Sequence, residues 1–294
     1  MPALGLVLAL AGGAPGQAIE LRVELGKSLF FEGEPIYAVF ELRNPGADTV
    51  WVDLFGLAYR NLTTQLYRDG RPLAEDLYVA DYFPGSGWRG VAIPPGGALY
   101  DTAVLQDWWG SRDADSRDVF LHRLETGAYE LTARCISNIP SVNPIRADAG
   151  PVRFEIRPRT PEEDASFRQF ERLRRMAWNS SQRGNYLPEV LAGAEARLAA
   201  NPADPYLAFL LRNGIQTAQA IGQQPGSDAA RRIARLRGAV AEAQRSLPSG
   251  AVVVDALFLE TPEEVSSLLD RLTGSIAGRV AAVRLERRAG HLPF

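Results

Sequence analysis

Near Thr160 the spacing of apolar residues changes from every second position to the three-and-four spacing of a helix, and no single secondary-structure type can span that change. Upstream, Ile19, Leu21, Val23 and Leu25 alternate with polar neighbours, as do Ile36, Ala38, Phe40 and Leu42. Period two places such residues on one face of a strand. Downstream, Ala, Leu and Arg dominate and Gly and Pro retreat to the joints. An all-β module therefore precedes an all-α module.

In the β half, turn residues punctuate the strands. Gly33-Glu34-Pro35 leads into a strand over 36–43, and Asn44-Pro45-Gly46 closes it before Val50, Val52 and Leu54 begin the next. Asp69-Gly70 predicts a hairpin after 63–68. Pro94-Pro95-Gly96-Gly97 precedes a strand over 98–105, and Val152, Phe154 and Ile156 mark the last one. Seven or more short strands predict a β-sandwich. Tyr129, two residues after Gly127, has the placing of a tyrosine corner, whose hydroxyl bonds back to the preceding turn. Cys135, the only cysteine, lies in register with Tyr129, Leu131 and Ala133, so a buried, inert thiol is expected and no internal disulfide can form.

The run Gly33-Glu34-Pro35-Ile36, the alternation to Asn44, and Val50-Trp51-Val52 resemble the immunoglobulin-like domain named for a Bacillus intracellular proteinase inhibitor, as found in uncharacterised exported bacterial proteins. The Pro94–Gly97 turn and the Leu124–Leu131 segment are similar to that pattern too. The resemblance covers about half the chain. It implies an immunoglobulin-like antiparallel sandwich, and it raises protease inhibition through a sandwich loop as an alternative activity.

Thr160-Pro161-Glu162-Glu163 opens the helical half as a capping box, with Pro161 suited to the first helical position. Phe167, Phe170, Leu173 and Met176 follow at helical spacing. The same four letters recur at Thr261-Pro262-Glu263-Glu264. Ala194-Glu195-Ala196-Arg197 before Asn201-Pro202 is echoed 46 to 47 residues later by Ala241-Glu242-Ala243-Gln244 before Pro248. Helices follow each joint, at 205–221 and 252–259, the latter equally readable as a strand. Helix, proline-bearing joint, helix is similar to degenerate tetratricopeptide-like tails, which implies an antiparallel, repeat-like stack of six or seven helices, packed closely through small Ala and Gly residues.

Residues 1–18 read as an export signal: Ala3 to Ala11 is apolar, Gly12 to Pro15 breaks a helix, and Gly16-Gln17-Ala18 supplies small residues for cleavage, although no Lys or Arg precedes them. The resulting division is a signal at 1–18, an immunoglobulin-like β-sandwich at 19–158 and an α-helical repeat-like domain at 159–294. The apolar run is too short to span a membrane, and no later run reaches the ~20 apolar residues a span needs. Residues 19–159 carry 15 basic and 20 acidic side chains, and 160–294 carry 17 and 15. Neither balance suits nucleic acid.

With one cysteine and two histidines, His122 and His291, the chain cannot build a usual structural zinc site, and no nucleophile elbow accompanies either histidine. No catalytic, metal-binding or cofactor-binding residue is expected. Asp113, Asp115 and Asp118 could offer calcium closely spaced oxygens, but Arg112 and Arg117 between and beside them favour a salt-bridged loop. Trp108 and Trp109 are adjacent, so in a strand only one can face the core. With Trp88, Tyr82 and Phe83 they form a candidate aromatic contact patch for a partner protein. Arg231, Arg232, Arg235 and Arg237 line the polar side of a helix whose core stripe is Ile233, Leu236, Ala239 and Val240. The sum predicts an exported, periplasmic or secreted, non-enzymatic protein that binds or scaffolds another protein in the bacterial cell envelope. A second alternative is a glycan hydrolase using two carboxylates.

Overall fold

The computed structural model describes residues 19–53, 61–73, 90–107, 109, 124–137, 144–178, 183–201, 204–207, 210–211 and 227–244. The chain divides into two compact units, Met1–Leu29 with Tyr37–Ile156, and Phe30–Ile36 with Arg157–Phe294.

Ten strands are described: β1 (Glu20–Leu25), β2 (Leu29–Phe31), β3 (Tyr37–Arg43), β4 (Val50–Asp53), β5 (Leu62–Arg68), β6 (Arg71–Pro72), β7 (Gly90–Ile93), β8 (Ala98–Val104), β9 (Gly127–Ser137) and β10 (Ile145–Arg157). They form a three-stranded sheet in the order β1-β3-β8, a five-stranded sheet β2-β10-β9-β5-β6, and a separate pair β4-β7. The pairs β1–β3, β3–β8, β4–β7, β5–β6, β5–β9 and β9–β10 are antiparallel. Alternation sets the faces: in β9, Tyr129, Leu131, Ala133, Cys135 and Ser137 are all buried while their neighbours are not. The Asp69-Gly70 hairpin is a two-residue turn with both residues at positive φ, 49° and 76°, the geometry that matches strand twist. Tyr129 donates its hydroxyl proton to the carbonyl of Glu125, 2.6 Å away, closing the turn before β9.

The described residues correct the expected fold class. They form neither an immunoglobulin-like two-sheet sandwich nor a large helical repeat domain: the strands divide among three sheets and dominate over three helices, α1 (Pro161–Trp178), α2 (Arg183–Ala200) and α3 (Asp228–Gln244). One reason lies at Asn44, where the buried amide Nδ2 donates to the carbonyls of Asp48 (2.7 Å) and Ile93 (2.9 Å). Those bonds bring the turn before β4 to the end of β7, and β4 pairs with β7 instead of joining a larger sheet. Arg197 is buried in an ion pair with Asp204 across its joint, and the joint of the sequence echo, after Gln244, lies outside the described residues.

In the second unit α1 packs on α2, and α2 on α3. The Thr160 hydroxyl accepts from the Glu163 amide (3.2 Å) and the Glu163 carboxylate accepts from the Thr160 amide (2.8 Å), the reciprocal capping box. Phe167, Phe170 and Leu173 are buried from α1, Leu187, Val190, Leu191 and Ala194 from α2, and Ile233 and Leu236 from α3. Gly193 lets the first two approach, since a Cβ there would meet Leu173 Cδ2 at 2.7 Å. The second capping box, the helix at 252–259 and the export signal lie outside the described residues, as does most of 205–221.

Candidate functional site

Of the five aromatic residues of the predicted patch, the described residues include Trp109 alone; Trp108, Trp88, Tyr82 and Phe83 lie outside them. Trp109 follows a single 3-10 turn over Leu105–Asp107, and its amide donates to the Leu105 carbonyl at 3.1 Å. Its side chain is fully buried, with the indole Nε1 lacking a hydrogen-bond partner, so it fills a core and presents nothing to another protein in this arrangement. The Asp113, Asp115 and Asp118 cluster and both histidines also lie outside the described residues.

A different indole reaches solvent. In β4, Val50 and Val52 are buried at 1% and 0% exposure, and Trp51 between them is 50% exposed. The alternation that buries the two valines obliges Trp51 to point the other way, across the ladder from exposed Ala92 on β7. The sequence carried this signal in Val50-Trp51-Val52, but reading the run for its buried face left the outward residue unremarked.

Side chains pin this ribbon at both ends. At one end Asn44 Nδ2 holds the Ile93 carbonyl, while Asn44 Oδ1 accepts from the Gly46 amide at 3.0 Å. Backbone bonds from Asn44 N to Gly97 O (2.9 Å) and from Gly96 N to Asn44 O (2.8 Å) tie the same corner to the Pro94–Gly97 turn. At the other end the Asp53 amide donates to Ser137 Oγ (2.8 Å), and Asn61 Nδ2 donates to the Asp53 carbonyl (3.1 Å). Asn44, Asn61 and Ser137 are all buried; the bond to the Ile93 carbonyl is shielded from water and the others partly so. The result is a large, amphipathic side chain of two rotatable bonds on a held backbone, which loses little entropy when a partner covers it.

The remaining polar groups of the described residues are largely committed internally. Arg232 forks onto Glu195 with bonds of 3.0 and 2.8 Å, and Arg231 lies 3.5 Å from Asp228, so part of the basic stretch on α3 is spent within the chain. Burial pushes the Cys135 thiol up to about 12, which leaves negligible thiolate at neutral pH. The Arg157 guanidinium, bonded to Glu163 at 2.6 and 2.7 Å, holds that carboxyl down at about 2, with the Thr160 amide adding to the effect. In the second unit Arg197 donates through Nη1 to Asp204 (2.5 Å) and Ser166 Oγ (3.0 Å) and through Nη2 to the Ser166 carbonyl. Burial, followed by the charges of Glu34 and Asp204, raises the pKa of the Tyr206 hydroxyl stacked nearby. These are the contacts of a buried structural network. The arrangement best suited to act on another molecule is Trp51 on its pinned ribbon.

No family model matches this chain, and no curated protein does, so neither the proteinase-inhibitor likeness nor the tetratricopeptide-like one gains support from them. Among solved structures, the CARDB domain of a Pyrococcus furiosus protein, in complex with di-metal ions, matches at 9% identity. The match covers 49% of this chain and 97% of that one, with a TM-score of 0.24. A TM-score so low marks a weak likeness and assigns neither fold nor function.

Proposed function

We propose that this chain is a non-catalytic, exported protein of the bacterial cell envelope that binds another protein, and that Trp51 is a contact residue. What supports the reading is one observation: a half-exposed indole held out from a strand pair whose backbone is tied at both ends by buried Asn and Ser side chains. Single exposed aliphatic side chains, such as Leu29 and Ile136 here, are ordinary on protein surfaces. Trp is the residue type most enriched at binding hot spots, and its truncation there costs about 2 kcal/mol or more of affinity.

The test is site-specific photocrosslinking in cells. A photoreactive phenylalanine analogue at position 51 should yield a discrete adduct with one protein. The same analogue at Thr63, exposed on β5, should not. Trp51→Ala should abolish co-purification of that protein while leaving the circular dichroism spectrum unchanged. Absence of an adduct from position 51, or identical adducts from 51 and 63, would remove Trp51 as the contact.

A further inference from the structure

Phe30–Ile36 is flanked in sequence by strands of the first unit but belongs to the second. Its conformation is set locally. The Glu34 amide donates to the Phe31 carbonyl (3.0 Å) around Gly33 at φ 81°, a type II turn, and the Glu34 carboxylate accepts from the Phe31 amide (3.2 Å), closing the turn on itself.

That closed turn is then held by the helical unit from several directions. Glu32 N donates to Arg157 O at 3.0 Å, and Arg159 Nη1 donates to the Glu32 carbonyl at 2.9 Å. Arg159 also lies 4.2 Å over the Phe167 ring and 3.1 Å from Asp164 in the first turn of α1. The Phe31 ring meets Tyr206 edge-on at 6.2 Å, and Tyr206 stacks on Phe170 at 4.3 Å. Gly33 lies so close under the Phe167 ring that a Cβ would stand 2.8 Å from Cδ2. The segment thus touches Arg157 and Arg159 just ahead of α1, the Phe167 ring of α1 and Tyr206, while β2, which holds its first two residues, has three residues and forms the edge of its sheet.

We propose that Phe30–Ile36 is a strap closing the second unit, and that its withdrawal opens α1 and the Tyr206 turn in one cooperative step while the sheets of the first unit stay folded. Withdrawal breaks the Arg159–Glu32 bond and the Phe31–Tyr206 and Gly33–Phe167 contacts together, a sub-global opening of the kind that precedes global unfolding. Opening would uncover Phe167, Phe170 and Tyr206 together, because the strap contacts two of the three and the third stacks between them.

Native-state hydrogen exchange on the full chain tests this. In the unmodified protein, α1 amides should exchange through an opening with weaker denaturant dependence than β9 amides. Phe31→Ala should accelerate α1 exchange at least tenfold and leave β5 and β9 unchanged; Phe31→Leu should do so less. Leu29→Ala, in the same strand but at a half-exposed side chain, should alter neither. Exchange of α1 and β9 only through a shared global opening, or an α1 rate indifferent to Phe31, would overturn the strap.

Discussion

Gly33 offers a prediction whose parts can be separated by measurement. Replacing it with Ala incurs two costs. The first is conformational: at φ 81° an L-residue with a Cβ costs about 1–2 kcal/mol, offset by about 0.4–1 kcal/mol because Ala restricts the unfolded chain. The second is steric. The new methyl would overlap Phe167 Cε2, and stand 2.8 and 3.0 Å from Cδ2 and Cζ, in a ring that is itself 7% exposed and clamped by Arg159. Overpacking of this kind costs about 1–3 kcal/mol, giving about 2–4 kcal/mol in all for Gly33→Ala. Gly70→Ala provides the conformational reference, since Gly70 has φ 76° and no atom within 4 Å of its would-be Cβ. It should cost about 1 kcal/mol. Phe167→Leu, which lacks atoms at Cε2 and Cζ, should absorb most of the steric cost in a double-mutant cycle. The assay is urea unfolding of the full chain in five forms, wild type, Gly33→Ala, Phe167→Leu, the double variant and Gly70→Ala, followed by far-UV circular dichroism. A coupling energy of at least ~1 kcal/mol between Gly33→Ala and Phe167→Leu is expected. Coupling under ~0.5 kcal/mol, with Gly33→Ala costing no more than Gly70→Ala, would refute the close approach of strap and ring.

Further predictions concern the other anchored groups. Because the folded Glu163 carboxyl sits near 2, below its unfolded value, its contribution is present above about pH 4.3 and lost as pH falls toward 2. After discounting for a partly solvated pair it amounts to about 1 kcal/mol, so Glu163→Gln should flatten the acid limb of stability between pH 5 and 2 by about that much. A variant with an unaltered acid limb would show the pair to be fully screened. Asn44→Ala leaves the Ile93 carbonyl without its amide donor inside a buried corner, and should cost about 2–3 kcal/mol by thermal denaturation; a loss under 0.5 kcal/mol would mean water replaces the amide freely. Cys135 should resist a thiol reagent at pH 8 in the native protein and react at once in denaturant, whereas rapid native labelling would contradict its burial.

The sequence by itself determined whatever depends on residues close along the chain. The turn at Asp69-Gly70, the Thr160–Glu163 capping box, the hydroxyl bond of Tyr129 and the inward register of Cys135 all follow from one residue and its near neighbours. Backbone sterics and period-two alternation act at that range, so the letters suffice. Trp51 belongs to this class as well, since two buried valines beside it leave its side chain one direction. Which strands pair was decided only in three dimensions. β4 could have extended a sheet, and the distant carbonyl of Ile93, 49 residues from Asn44, directs it to β7 instead. The same holds for Phe30–Ile36, whose pattern reads as turn and strand but whose aromatic ring and turn fit a surface made by Phe167, Arg159 and Tyr206. A run of apolar letters states that a face will be buried; it does not state against what, because that choice rests on shape and hydrogen-bond complementarity between segments remote in sequence, which exist only once the chain has folded.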